Sequence, residues 1–214
     1  MESLRNVIEY TSVKQGTRAG DVRSLCKQAK LNNFRAVCVN SGFIRFCYEE
    51  LRKNPEIIMV STAGFPTGGG SLKAKVYEAI FAAEEGAKEI DYMLNIGFLK
   101  ERKDKEVRDE IKSVVRNTKG LADVKIIIEA PVLTPEEIVR ACTIAAEEGA
   151  AFIKTATGFN GDTTTDMVKL IKKTVGKQCK IKAAGGIRDE ETVKAMLRAG
   201  ADTIGTSTLI EFDD

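Results

Sequence analysis

Short runs of apolar, often β-branched residues recur along this chain, separated by longer segments whose apolar positions return every three to four residues. Eight runs read as strands: VIEYT (7–11), AVCVN (36–40), IIMVS (57–61), EIDYML (89–94), KIIIEA (125–130), AFIKTA (151–156), KIKAA (180–184) and TIGTS (203–207). The segments between them read as helices over about 18–31, 43–53, 71–86, 103–118, 135–148, 164–175 and 189–199, since a 3.6-residue period buries one face. In 135–148, Ile138, Cys142, Ala145 and Ala146 share a face, with Thr134 as N-cap and Pro135 beside it. Three helices end alike, in EEGAKEI (84–90), EEGAAFI (147–153) and RAGADTI (198–204). Gly86, Gly149 and Gly200 can each take the left-handed conformation that closes a helix before the next strand. Strands alternating with helices, with one junction repeated, predict a single (β/α)8 barrel domain spanning 1–214. An open doubly wound sheet fits less well, because no GxGxxG opens a first helix and chemistry falls at many strand ends.

Two lysines break the pattern. Lys154 sits in AAFIKTATGF and Lys182 in CKIKAAGGIR, each at the end of an apolar strand and each followed by a glycine turn. Burial disfavours an ammonium, so a lysine in such a place is costly unless its amine is needed. Strand alternation turns the flanking isoleucines toward the helices and both lysines into the barrel, on neighbouring strands. Two unit charges about 4 Å apart at an effective dielectric near 20 repel by roughly 4 kcal/mol. That is about three pKa units, enough to bring an amine from about 10.4 to about 7. A neutral amine attacks carbonyls and forms Schiff bases. The competing reading is an ordinary strand-end lysine paired with a carboxylate, and Asp91 in EIDYMLNIG is the obvious partner. Asp91 reads either as a proton relay or as the salt-bridge partner that holds a lysine in place.

Composition narrows the chemistry. The chain has 214 residues, 43% hydrophobic and 30% charged, with a net charge of +2. That balance gives no reason to expect nucleic acid or an acidic membrane as partner, and no apolar run approaches the length that spans a bilayer. The start, MESLRNVIEYTS, lacks the layout of a signal peptide. Five cysteines without a CxxC spacing indicate neither a disulfide framework nor a zinc site, and a reducing cytoplasm is the expected setting. There is no histidine. A Ser-His-Asp triad, a Cys-His pair and a histidine-ligated zinc are thereby excluded. Proton transfer falls to Lys, Asp, Glu, Tyr, Cys or water. The run KERKDKEVRDE (100–110) alternates in sign and reads as a solvated helix face.

Reading the strand ends adds Cys38, Asn40, Asn95 and Glu129 as candidates. Thr157-Gly158, Gly185-Gly186 and Gly205-Thr206-Ser207 follow the last three strands, where backbone N–H groups of a barrel commonly cradle a phosphate. Thr67-Gly68-Gly69-Gly70 reads as a flexible loop over the mouth and not as a nucleotide P-loop, since GK[ST] is missing. Cys38 reads as a small buried hydrophobe that could also touch substrate.

Taken together, EIDYMLNIGFLK (89–100), FIKTATGF (152–159) and KIKAAGGIRDEETVKAMLRAGADTIGTS (180–207) resemble the deoxyribose-phosphate aldolases, Schiff-base enzymes on a (β/α)8 barrel. AVCVNSGFI (36–44) and GFPTGGGSLKAKVYEA (64–79) add weaker likeness, and the resemblance runs from about Val7 onward. It implies that Lys154 forms the Schiff base, that Lys182 tunes it and that Asp91 relays protons. It further implies that Cys38 lines the substrate pocket and that the glycine turns, with Thr157 and Ser207, contact the phosphate. The implied activity is cleavage of 2-deoxy-D-ribose 5-phosphate to acetaldehyde and D-glyceraldehyde 3-phosphate, and the reverse addition, without metal or organic cofactor. A homo-oligomer acting on a small phosphorylated sugar is the implied assembly. A barrel aldolase for another phosphorylated sugar, or a non-catalytic sugar-phosphate-binding barrel, stays open as an alternative. Two features depart from the family. Glu9-Tyr10-Thr11 stands where members usually begin with Asp-His-Thr, which places the longer Glu9 in the substrate-side network. Some members end in a tyrosine that assists proton transfer, whereas this sequence reads Glu211-Phe212-Asp213-Asp214.

Overall fold

The computed structural model describes residues 4–212, so residues 1–3 and 213–214 of the expected 1–214 unit lie outside the described residues. Eight parallel strands close into a barrel in chain order: β1 (Ile8–Ser12), β2 (Ala36–Val39), β3 (Ile58–Ala63), β4 (Glu89–Met93), β5 (Asp123–Ile127), β6 (Phe152–Lys154), β7 (Lys180–Ala184) and β8 (Thr203–Thr206). The helices around them are α1 (Ala19–Leu31), α2 (Ile44–Leu51), α3 (Leu72–Glu84), α4 (Ile96–Lys100), α5 (Asp104–Thr118), α6 (Pro135–Glu147), α7 (Thr165–Val175) and α8 (Glu190–Ala199). All eight expected strands are present. The short α4 is additional; Asn95 caps it by accepting a hydrogen bond from the Phe98 N–H at 3.1 Å.

Local chemistry accounts for the boundaries. Thr134 Oγ1 accepts from the Glu137 N–H, and the Glu137 carboxylate accepts from the Thr134 N–H at 2.8 Å, a reciprocal cap that starts α6. Gly86, Gly149 and Gly200 all have positive φ, as the repeated junction requires. β5 stops at Ile127 and β6 at Lys154, earlier than the apolar runs suggest. Glu129 turns the first of these chains with a left-handed φ of 53°, uncommon outside glycine. Thr155 starts the loop after β6, its hydroxyl donating to the Ala184 carbonyl at 3.0 Å.

Strand alternation divides the molecule into two unlike interiors. Outward-facing Val37, Val39, Ile90, Tyr92, Ile126, Ile153, Ile181 and Ile204 pack with the helices in one large apolar cluster. Inside the barrel the apolar cluster is small: Ala36, Cys38 and Val60, with Val13 and Ile58 against it. Barrel interiors are usually filled by layers of Val, Ile and Leu. Here much of the space is taken by buried Glu9, Glu89, Asp91, Lys125, Lys154 and Lys182. Below them lies the Phe152 ring, with Lys125 Nζ 5.0 Å and Lys180 Nζ 5.4 Å from its centroid.

Candidate active site

Registry brings the two lysines together: Lys154 of β6 pairs directly with Lys182 of β7. Asp91 arrives from β4, two strands round the ring from β6. Its Oδ2 accepts from Lys154 Nζ and from Lys182 Nζ, both at 2.7 Å. Cys38 Sγ points at the same oxygen from 3.6 Å. Lys182 Nζ also meets Glu9 Oε2 at 2.6 Å, and Lys125 Nζ meets that oxygen at 2.6 Å. Lys125 continues to Glu89 Oε2 at 2.5 Å. Arg35 closes the chain at the bottom, donating to Glu9 Oε1 at 2.9 Å and pairing with both oxygens of Glu89. Four cations therefore face three carboxylates: Arg35, Lys125, Lys154 and Lys182 against Glu9, Glu89 and Asp91.

The charge states follow from this geometry. Burial alone would raise the Asp91 carboxyl, but the ammonium groups of Lys154, Lys182 and Lys125 outweigh it and hold the acid well below the usual range. Burial also opposes ionisation of Glu9, and Lys125 and Lys182 reverse it, lowering Glu9 to about 2. Burial would lower Lys182, but the carboxylates of Asp91 and Glu9 overcome that and keep it above an ordinary lysine. Burial and then the Asp91 charge push the Cys38 thiol up to about 11, so it stays protonated and unreactive at neutral pH. Repulsion between two bare lysines is thus too simple a picture, because an anion lies between them. Lys182 is a charged fixture of the cluster and has no lone pair for a carbonyl.

Above the cluster opens a cavity of about 520 Å³. Of the interior lysines named above, only Lys154 lines it. Thr157, Gly158, Gly185, Gly186, Gly205 and Ser207 line it as well, so every expected glycine-turn residue reaches one space. Asp91, Lys182, Cys38 and Glu9 do not line it; they are fully buried below. The wall also carries Lys14 and Arg188, two cations at the mouth that the strand-end reading passed over.

The glycines are required for different reasons. A Cβ on Gly205 would come within 2.8 Å of Lys182 Cε, so this glycine makes room for the buried lysine. A Cβ on Gly186 would strike Asp162 Cγ at 2.3 Å, and its φ of +79° already excludes most side chains. The loop 67–70 is anchored, not free. Lys75 Nζ, buried and paired with Glu110, donates to the Gly68 carbonyl at 2.7 Å and the Met93 carbonyl at 3.0 Å.

Glu129 has a supporting place. Its carboxylate accepts from the Thr157 N–H at 2.9 Å, the Thr157 hydroxyl at 2.6 Å and Asn160 Nδ2 at 3.2 Å. It thereby fixes the loop that carries Thr157 and Gly158 along the cavity wall. Lys125, Glu89 and Arg35 were not singled out as functional in the sequence. The signal was available: Glu89 lies two residues before Asp91 and Lys125 opens an apolar strand, so period two places both inside.

The sequence pattern of the DeoC/LacD family aldolases matches residues 9–209. The chain belongs to that family. It is 43% identical over 209 residues to deoxyribose-phosphate aldolase of Carboxydothermus hydrogenoformans, covering 96% of this chain and 91% of the relative. The solved aldolase QR15 superposes with a TM-score of 0.91 at 36% identity, covering 97% of this chain and 93% of that one. A tetrameric deoxyribose phosphate aldolase from Aeropyrum pernix gives a TM-score of 0.89 at 27% identity, with coverage of 96% and 87%.

Proposed function

We propose that this protein is a Schiff-base aldolase, a lyase that cleaves 2-deoxy-D-ribose 5-phosphate to acetaldehyde and D-glyceraldehyde 3-phosphate and catalyses the reverse addition. The observation that carries the mechanism is that Lys154 alone of the clustered lysines meets both the cavity and Asp91 Oδ2. Four cations against three carboxylates leave one proton in excess, and its loss leaves the buried cluster balanced. In this reading the neutral Lys154 amine attacks C1 of the open-chain sugar and water leaves to give an iminium. The C2–C3 bond breaks, its electrons flow to the iminium to form an enamine, and the C3 hydroxyl loses its proton as glyceraldehyde 3-phosphate departs. Protonation at C2 and hydrolysis then release acetaldehyde and restore the amine. Asp91 Oδ2, bonded to both lysines, bridges the path along which protons move. Lys182 stays charged beside it.

The phosphate of the substrate is assigned to the turns at Thr157, Gly158, Gly185, Gly186, Gly205 and Ser207, with Lys14 and Arg188 supplying positive charge. The relatives' substrate and the basic mouth support this choice. Cys38 and Glu9 act from beneath the cavity rather than on its wall. The protein is further assigned to a homo-oligomer, on the strength of the tetrameric relative and of exposed Tyr48, Tyr77 and Phe81 on α2 and α3. The five buried free thiols support a reducing cytoplasm as its compartment. Among the described residues no helix is long and apolar enough to cross a membrane.

Borohydride reduction in the presence of acetaldehyde, followed by peptide mapping, tests the mechanism. A reduced adduct on Lys154 is expected. An adduct confined to Lys182 reverses the roles of the lysines, and full activity without any adduct refutes the Schiff base. Activity on deoxyribose 5-phosphate in EDTA separates the catalytic reading from a barrel that only binds sugar phosphate.

A further inference from the structure

Phe65 stands at the nucleophile on the side away from the Gly185-Gly186 turn, and Phe159, which follows the Thr157-Gly158 turn, packs against it. Lys154 Nζ lies 5.5 Å from the centroid of Phe65. Phe65 follows β3, which stands across the eight-strand ring from β7 and its Gly185-Gly186 turn. Its ring meets Phe159 edge to face, 5.7 Å between centroids at 76°. Beyond this pair is a second cavity of about 410 Å³, walled by Pro66, Met93, Ile96 and Val132 among others. It shares Phe159 with the larger cavity and no other residue. Lys154 does not line it.

Both aromatic side chains are carried on anchored backbone. The Gly64 N–H donates to Glu78 Oε2 at 2.8 Å, and the Gly64 carbonyl accepts from the Gly68 N–H at 2.8 Å. Lys75 holds Gly68 from the other side. The Phe159 N–H donates to Thr157 Oγ1 at 3.1 Å, and Thr157 is held by Glu129. A wall this well held does not give way to one extra carbon without cost.

We propose that Phe65 and Phe159 form the gate that sets the size of the aldehyde donor, closing the space beside the Lys154 imine to anything longer than two carbons. The inference rests on Lys154 as the Schiff-base lysine and goes beyond it. The phosphorylated acceptor occupies the glycine-turn side of Lys154. In this arrangement a substituent on the donor's reacting carbon turns toward Phe65 and the Phe159 ring packed on it. Removing either ring opens that position to the second cavity, whose Pro66, Met93, Ile96 and Val132 can take a methyl or ethyl group and whose Glu129 is already bonded to Thr157 and Asn160.

The test compares acetaldehyde and propanal as donors to D-glyceraldehyde 3-phosphate in the native protein and in Phe65→Ala, Phe65→Leu and Phe159→Ala. The readout is the ratio of propanal to acetaldehyde kcat/KM, in which general losses cancel. One methylene is discriminated by roughly 10-fold or more in an apolar pocket, so the ratio should rise by about tenfold in at least one variant. Phe159 is 50% exposed, so its truncation leaves a folded protein even where a Phe65 variant does not fold. Borohydride trapping runs in parallel: the Lys154 amine and the aldehyde lose water, and hydride converts the iminium to a secondary amine, one methylene heavier for propanal. Ratios unchanged in the folded variants, with Lys154 adducts still formed, overturn the gate and leave the Schiff-base reading intact. Absence of an adduct with either aldehyde in the native protein overturns both.

Discussion

Replacing Lys182 by Met tests whether the buried charge cluster drives the chemistry. Met keeps most of the side-chain length and removes one ammonium, so the cluster goes from four cations against three carboxylates to three against three. Both carboxylates that lose Lys182 keep another cation: Asp91 retains Lys154 at 2.7 Å and Glu9 retains Lys125 at 2.6 Å. The loss should therefore fall below the roughly 3–5 kcal/mol of a pair left with an unpaired buried charge. The catalytic effect can be sized from geometry. Lys154 Nζ and Lys182 Nζ each lie 2.7 Å from Asp91 Oδ2, so twice that distance, 5.4 Å, is the most that can separate them. At an effective dielectric near 20 the repulsion at that separation is about 3 kcal/mol. That corresponds to about two pH units on the activity profile, or about 10²-fold in rate at neutral pH. The assay is kcat/KM on deoxyribose 5-phosphate from acid to alkaline pH, with circular dichroism to establish folding. Neutral-pH activity should fall about 10²-fold, and the alkaline limb should recover part of it. Recovery that stays far short indicates that Lys182 also passes protons. A folded Lys182→Met protein with an unchanged neutral rate and an unchanged profile refutes the role assigned to its charge.

Gly205→Ala should lower kcat on free deoxyribose as well as on deoxyribose 5-phosphate, since the added methyl meets Lys182 Cε at 2.8 Å; a loss confined to the phosphorylated substrate would place the glycine in phosphate binding alone. Arg188→Ala should raise KM for the phosphorylated substrate about tenfold and leave free deoxyribose nearly unaffected, as expected for a charge-assisted contact worth roughly 1.5 kcal/mol; equal effects on both substrates count against a phosphate role. Glu9 is lowered from 4.5 to about 2 in the folded protein, so its contribution to stability is complete above 4.5 and is lost as pH falls toward 2. Glu9→Gln should accordingly flatten the dependence of Tm on pH across that acid window, and a slope equal to that of the native protein would exclude Glu9 as its source.

How far the sequence could be read depends on what each residue answers to. All eight strands were legible because each outward face is apolar and feeds the same helical layer, as Ile90, Ile126, Ile153, Ile181 and Ile204 show. The repeated Gly86, Gly149 and Gly200 junctions were legible because a positive φ constrains residue type strongly. Lys154, Lys182 and Asp91 stood out as charges in apolar strands, and the structure brings all three to one oxygen. What the strands could not disclose was who else meets there. Arg35, Glu89 and Lys125 converge through barrel closure, which brings together residues distant in sequence, 116 positions apart in the case of Lys125 and Glu9. The reasons for individual glycines were hidden similarly: Gly205 answers to Lys182 and Gly186 to Asp162, both from other elements.

The departure at Glu9 acquires a physical meaning from the same network. A carboxylate at that position has to reach Lys182, Lys125 and Arg35 at once, and Glu9 does so with one oxygen shared by the two lysines at 2.6 Å and the other on Arg35 at 2.9 Å. Its extra methylene is spent inside the barrel, not at the substrate, for Glu9 is fully buried and off the cavity wall. Buried ions are expensive, and replacing such clusters with apolar residues is often neutral or stabilising. A barrel that fills its centre with charges where Val, Ile and Leu would serve for stability fits the role proposed for Lys154 better than a purely structural one. Arg35 and Glu89 sit farthest from the cavity but complete the charge count, so the role proposed for Lys154 draws in partners reaching to the bottom of the barrel.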